Sequence, residues 1–327
     1  MGLTYLKYRM EGNMGTVLKW KKQILYFESL TWSGTDTQCS RQITFTLPAN
    51  AYRSDIGKPK VALGDAVTLY HDGRQIFVGI VTTREKPAEV GAYSYTADDF
   101  MSYLLRSSAT YKFRKHTAEY IVRKVCGDLK IQTVNLAKTG YSIPKLFCED
   151  MAVYDIMVRA YRKAKAHTGK KYMPAMQGRK VTVITKGTSS GVTLSQDSNI
   201  SDASYSDTLD SMIDRVRIYS EKGKKLGMVQ NKKQVQKYGI YQAAYTKEEK
   251  VNAKKAAKAM LEGVAKEAGV SAIGDVRAKA GYSIKIQDKA TGLSGKFYIT
   301  SDSHTFEGRT HTMTLGLAWK NEMESAN

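Results

Sequence analysis

Ala66-Val67-Thr68-Leu69-Tyr70, then Asp72-Gly73, then Gln75-Ile76-Phe77-Val78-Gly79-Ile80-Val81: two apolar runs meet at an Asp-Gly pair. A tight hairpin turn of the type that matches strand twist needs positive φ at its central residues, which glycine accepts freely and aspartate tolerates. The stretch therefore predicts a β-hairpin, and Gly79 inside its second strand predicts a bulge or a tight bend. Upstream, Ile43-Thr44-Phe45-Thr46-Leu47 alternates strictly, as a half-buried strand does. Pro48 is expected to end that strand, because proline cannot donate to a ladder. Tyr93 and Tyr95 alternate again downstream. The first ninety-odd residues read as a small β-barrel or sandwich.

Helical periodicity takes over next. Asp98-Asp99 precedes a helix whose face holds Phe100, Tyr103 and Leu104. A second helix starts near Thr117, with Ile121, Val122 and Val125 as its stripe and Gly127 as its C-cap. A third, about 152–166, turns Ile156, Met157 and Ala160 inward and Arg159, Arg162, Lys163 and Lys165 outward. A strand, Lys180-Val181-Thr182-Val183-Ile184, closes this α+β middle, and Ser189-Ser190-Gly191 reads as a turn. Asp214 to Tyr219 is a strand with one wet face, and Glu221 to Lys225 a charged turn. Thr246-Lys247-Glu248-Glu249 has the capping-box pattern. It opens the longest expected helix, lined by Ala253, Ala256, Ala257, Met260 and Val264, supported by a Glu262–Lys266 pair and ended by Gly269. The remainder is β: Tyr282, Ile284 and Ile286 share a face, Phe297 to Thr300 returns, and Met313, Leu315, Leu317 and Trp319 keep a period of two.

Composition narrows the function. A chain of 327 residues has room for two or three domains, and 42% hydrophobic content builds packed cores. Fifty-one Lys and Arg against 31 Asp and Glu give +20, and Ile156 to Gln196 contains no acid at all. Such a surface meets something acidic: nucleic acid, anionic lipid or an acidic protein. Twenty-one tyrosines against 8 phenylalanines suit half-exposed strands and subunit interfaces. Cys39, Cys126 and Cys148 are odd in number and widely spaced, which predicts buried free thiols in a reducing cytosol. Met1 to Gly15 has no apolar run of signal-peptide length, and no stretch reaches the ~20 apolar residues of a membrane helix. The chain is expected to fold in the cytosol and to leave it, if at all, by lysis.

No motif carries catalysis. The histidines, His71, His116, His167, His304 and His311, form no HExxH. His304 and His311 bracket the last turn, where turn polarity or an interface hydrogen bond outweighs a two-histidine metal site. GxSxG, GxGxxG and a Walker loop are missing, and Gly169-Lys170-Lys171 matches only the tail of the last. Asp98-Asp99 reads as helix capping rather than a catalytic carboxylate pair. The expectation is no enzyme, no cofactor and no metal. The candidate contact surface is Arg159, Arg162, Lys163, Lys165, Lys170, Lys171, Arg179 and Lys180, interleaved with Tyr161 and Tyr172. Cations with aromatics can grip a phosphate backbone, so nucleic-acid binding through 156–196 is the alternative function. No RNP, helix-turn-helix or zinc-finger pattern accompanies it.

Gly64-Asp65 through Gly79-Ile80 resembles the first barrel of phage tail hub proteins, and Asp98-Asp99-Phe100-Met101-Ser102-Tyr103-Leu104 resembles the helix that follows it there. Gly274-Asp275, Ala280-Gly281-Tyr282-Ser283-Ile284, Gly295-Lys296-Phe297-Tyr298-Ile299, Ser303-His304-Thr305-Phe306 and Thr312-Met313-Thr314-Leu315 are similar to the second barrel of late control protein D-type proteins. The order and spacing resemble the XkdQ-like hubs of Gram-positive contractile tails and tail-like bacteriocins. The resemblance implies an α+β chain with two small tube-like β-barrels flanking and interrupted by insert segments. The implied boundaries are 1–97 for the first barrel, 98–185 for the middle domain, 186–225 plus 270–320 for the second barrel, and 226–269 for an insert within it. It also implies a homotrimer forming a pseudo-sixfold ring between tail tube and central spike, with other baseplate proteins as neighbours, in a particle released by lysis. Some relatives carry a cell-wall hydrolase domain; with only Lys320 to Asn327 after Trp319, none is expected here. The acid-free stretch is expected to dock an acidic neighbour.

Overall fold

The computed structural model describes residues 15–50, 60–86, 90–249 and 251–324, in two compact units, Met1–Ala203 with Gly269–Asn327, and Ser204–Ala268. The expectation for a signal-free start at residues 1–14 lies outside the described residues. The first strands are β1 (Thr16–Trp20), β2 (Gln23–Leu25), β3 (Ser29–Thr35), β4 (Gln42–Asn50), β5 (Ala66–His71), β6 (Arg74–Glu85) and β7 (Val90–Asp99). The middle holds α1 (Met101–Arg106), β8 (Ser108–Thr117), α2 (Ala118–Asp128), β9 (Thr133–Leu136), β10 (Ser142–Ala152), α3 (Val153–Thr168), β11 (Tyr172–Gln177) and β12 (Lys180–Thr185). Next come β13 (Ser189–Ser195), β14 (Ile200–Thr208), β15 (Arg215–Tyr219), β16 (Lys225–Gln230), α4 (Lys232–Tyr238), β17 (Gln242–Thr246) and α5 (Ala253–Ala259). The chain finishes with β18 (Ala265–Ile273), β19 (Ser283–Gln287), β20 (Ser294–Glu307) and β21 (Thr310–Ala318). The protein is mostly β, with a few helices.

The hairpin read first from the sequence is β5–β6, turning through Asp72 (φ 48°) and Gly73 (φ 73°). A Cβ on Gly79 would stand 2.3 Å from the Asp98 carbonyl oxygen of β7, so close strand approach requires glycine there. These strands belong to a 13-stranded sheet ordered β14-β18-β21-β20-β3-β4-β7-β6-β5-β1-β2, with β19 and β13 branching from β20; among the described residues the path does not close. β20 joins its two halves. Its first residues pair with β19, and from Ser301 to Glu307 it pairs with β3, while β21 follows its other edge. Phe306 of β20 is buried in the first half's core with Leu18, Leu30, Trp32, Ile43, Phe45, Leu69 and Tyr95.

A buried ion pair fastens this seam. Both Arg41 guanidinium NH2 groups donate to the Asp302 carboxylate, whose side chain is fully buried. Asp302 also accepts from the Ala280 amide at 2.7 Å, and Arg41 lies 4.0 Å over the Trp32 ring. Against the opposing effect of its burial, Arg41 and, with it, His304 hold the Asp302 carboxyl far below the usual carboxylate range. The carboxyl-terminal residues form a strap over the same unit. Met323 is buried, Glu324 accepts from the Tyr154 hydroxyl at 2.5 Å and the Gln38 amide at 2.9 Å, and Lys186 bridges Asp36 at 2.6 Å. In the second unit, β15 pairs antiparallel with β16 and parallel with β17, and Val216, Ile218 and Ala257 make its core.

Several sequence expectations are corrected. Pro48 does not end β4; it pairs with Ala92 of β7. Thr46, of the same parity, accepts from Glu28 on the β3 side, and β3's register stops at Phe45. Pro48 thus directs its missing donor to an edge with no strand beyond it among the described residues. The long helix from Thr246 is a seven-residue α5 capped by Asn252, and Thr246 ends β17. Glu262 exchanges both backbone hydrogen bonds with Ile213, which draws the chain off the helix before β18; tertiary pairing overrides the Ala/Lys/Glu propensity. Ser189-Ser190-Gly191 lies inside β13, where the register shifts, rather than in a turn. α1 buries Met101, Ser102 and Leu104, leaving Tyr103 exposed. α2 ends at Leu129, with Lys130 (φ 58°) rather than Gly127 in the left-handed conformation.

Removing one partner of a buried pair leaves the other charge unmatched. Arg41→Met is expected to cost about 3–5 kcal/mol in unfolding free energy. Urea denaturation of the full chain checks this.

Candidate interaction surface

α3 is amphipathic. Ile156, Met157, Ala160, Tyr161 and Ala164 are buried, and Arg159, Arg162 and Lys163 are exposed on the other side. The helix ends where Gly169 turns left-handed (φ 66°) and its amide donates to the Lys165 carbonyl. The eight cations read from the sequence do not form one patch. Lys165 is half-buried and Lys170 exposed, whereas the Lys171 ammonium donates to the Asn321 carbonyl of the carboxyl-terminal strap. Arg179 and Lys180 sit past the tip of the β11–β12 hairpin, a strand of six residues or about 20 Å from Lys171. There Arg179 lies 5.3 Å over the Phe100 ring.

Tyr161 and Tyr172 are core residues, 0% and 2% exposed, with ring centroids 4.9 Å apart. They offer no face to a nucleobase, so the interleaved aromatics do not supply the stacking that the nucleic-acid alternative draws on.

A second cationic face went unnoticed in the sequence. β8 and β10 form a two-stranded antiparallel ribbon. Phe113 opposite Leu146 faces the core; Arg114 opposite Lys145, and Lys112 opposite Phe147, face solvent. The signal was the alternation Tyr111-Lys112-Phe113-Arg114, which has the period of a half-buried strand. Between residues 105 and 185 there are seventeen Lys and Arg and five acids, so most of the +20 belongs to this region.

The histidines at the seam bond to one another. His304 Nδ1 and His311 Nε2 are 3.1 Å apart, and His304 Nε2 lies 3.1 Å from the Ala278 carbonyl oxygen. The carbonyl can only accept, so His304 carries a proton on Nε2, a nitrogen that also lies 3.4 Å from the Asp302 carboxylate. His71, bonded to Thr16, stands with its ring centroid 5.0 Å from that of His311. These contacts use the facing ring nitrogens for hydrogen bonds, and among the described residues no group of three His, Cys, Asp or Glu is arranged to hold a metal. Burial, with His304 and His71 nearby, pushes His311 down to about 3. Asp98 and Asp99 are also structural. Asp99 accepts from the Met101 and Arg41 amides at 3.0 Å, and Asp98 accepts from Gln42 and Thr82 at 3.0 Å. All three cysteines are buried free thiols, and burial pushes Cys39 and Cys126 up to about 12.

The pattern of the YQBQ-like family matches residues 30–318. The chain belongs to this family. It is similar to the Phage-like element PBSX protein XkdQ of Bacillus subtilis, 28% identical over 310 residues that cover 91% of this chain and 94% of that protein. Its fold is similar to that of the prophage MuSo2 43 kDa tail protein from Shewanella oneidensis (TM-score 0.70, 14% identity, 93% of this chain and 97% of that one). It is also similar to an E. coli type VI secretion component described as structurally like the T4 tail proteins gp27 and gp5 (TM-score 0.53, 12% identity, 95% and 78%). Within this YQBQ-like chain the family match, residues 30–318, spans both halves of the large sheet and also the middle, where the sequence resemblance rested on no motif.

Two expectations follow for the purified protein. Arg159→Glu, Arg162→Glu and Lys163→Glu together are expected to shift unfolding free energy by no more than about 1 kcal/mol, because surface changes away from structural contacts are small. Lys171→Glu, which breaks the hold on the strap, is expected to cost more; thermal melts compare them. His311 has a folded pKa of about 3 against about 6.5 unfolded, so the stability it contributes is present above pH 6.5 and is lost as pH falls toward 3. Asp99, pushed up to about 6 by burial, has the opposite sign: its contribution is present below pH 3.8 and lost as pH rises through 6. A His311→Gln variant isolates the first effect, and its acid limb between pH 6.5 and 3 is expected to be shallower than wild type in denaturant titrations.

Proposed function

We propose that this chain is the baseplate hub of a contractile phage tail or tail-like particle. Three copies form a pseudo-sixfold ring that joins the tail tube to the central spike. The observation that carries the reading is the likeness to the PBSX protein over nearly the full length of both chains. The fold of a prophage tail protein supports it. So does the sheet, in which two β halves join edge to edge through β20 and β3.

Each half acts as one tube-like barrel module, so a trimer presents six. The modules correspond to 1–97 and to 186–225 with 270–320; 98–185 and 226–269 are the segments that flank and interrupt them. The role is structural rather than catalytic, since it is carried by interfaces. The exposed cations of α3 and of the β11–β12 tip meet acidic neighbours in the baseplate. The particle assembles in the bacterial cytoplasm and is released by lysis.

Cryo-electron microscopy of particles from a producing strain is expected to place three copies between the last tube ring and the spike. Density for this chain elsewhere in the particle, or its absence from purified tails, would overturn the reading.

A further inference from the structure

The β8–β10 ribbon carries a feature the fold does not need. Arg114 and Lys145 stand directly opposite each other on its solvent face, and like charges in that position weaken an antiparallel pair. Lys112 is beside them, and Phe147, 45% exposed, sits opposite Lys112. Glu149 lies two residues farther along β10, yet no ion pair joins it to these cations among the described residues. An exposed aromatic rimmed by unpaired cations has the make-up of a binding hot spot for an acidic protein surface. It suits single-stranded nucleic acid poorly, because successive bases need successive free platforms: Phe147 is one, but the equally exposed Tyr120 is already stacked on His116 at 4.1 Å.

The chain itself contains the complement. Residues 187–214 hold no lysine or arginine, in a protein with 51 of them. This run includes β14, a terminal strand of the large sheet, exposed along most of its length. Asp197 before it and Asp202 within it are exposed, and the Asp202 side chain makes no ion pair or hydrogen bond among the described residues. β14 pairs with β18 on one side, and its other edge is open among the described residues, free to be covered.

We infer that the β8–β10 ribbon face of one copy docks the acidic β14 segment of a second copy. Two different patches meet, so the contact is heterologous and generates a ring when its rotation closes. The inference rests on the proposed homotrimer and assigns the surfaces that hold it.

Light scattering and sedimentation of the full chain test it with three variants. These are K112E/R114E/K145E, D197K/D202K, and all five changes in one chain. Wild type is expected to have the mass of three 36.5 kDa chains. Each single-face variant is expected to keep its circular dichroism and melting temperature while its self-association weakens at least tenfold. The five-fold variant, with both charges reversed, is expected to recover the wild-type mass. A wild-type trimer that single-face reversal leaves unchanged overturns this inference and leaves the trimer standing. Failure of the five-fold variant to recover, with both single-face variants folded, also overturns it. A wild type that stays monomeric at high concentration and low salt overturns both readings. Salt-sensitive binding of a 30-nucleotide single strand, abolished by the ribbon variant while the β14 variant has no effect on mass, replaces this inference with nucleic-acid binding.

Discussion

The Arg41–Asp302 pair is the constraint on which the rest of the first unit depends. It sits where β20 leaves β19 and begins to pair with β3, the place at which two half-sheets become one. A buried carboxylate is costly unless its acceptors are filled. Asp302 meets that condition with the Arg41 fork and the Ala280 amide, and the aromatic face of Trp32 covers the guanidinium. Each donor comes from a different stretch of chain, so the pair is satisfied only when β3, β4, the loop before β19 and β20 are all in place. Apolar alternation alone would tolerate a two-residue slip, which keeps the same face inward; this geometry does not.

Charge in this protein is segregated rather than merely abundant. The cations concentrate in the middle region, on α3 and the β8–β10 ribbon, whereas the run 187–214, which contains β13 and β14, has no cation. A molecule arranged this way has direction. Its cationic surfaces attract acidic ones and repel their own kind, which selects orientation in any encounter.

Much of this was legible in the sequence, for reasons that differ by element. The β5–β6 hairpin, the alternation of β4 and β21, and the buried stripes of α2 and α3 are local, and local patterning reports them. Helix 246–269 was misread because its Ala- and Lys-rich pattern is truly helical in isolation; the backbone of Glu262 is claimed by Ile213, a partner 49 residues away that no window contains. Pro48 was misread because the rule against proline applies to paired edges, and which edge is paired is a property of the sheet. The α3 cations were visible because an acid-free run stands out. The ribbon face was not, since Lys112 and Lys145 lie far apart in sequence and become neighbours only through the β8–β10 register. The burial of Tyr161 and Tyr172 likewise follows from the packing of α3 on β11, not from their spacing.

The union of β3 with β20 also imposes an order in time. Arg41 and Asp302 are separated by 261 residues, a distance a bacterial ribosome covers in roughly 13–50 s at about 5–20 residues per second. Throughout that interval β3 lacks its neighbour, and the first half's core lacks Phe306. The amino-terminal half is therefore finished only by a strand made 261 residues after Arg41. A chain built this way cannot show a completed first half until β20 has left the ribosome, so the surface of that half is withheld until the second half of the sheet is made.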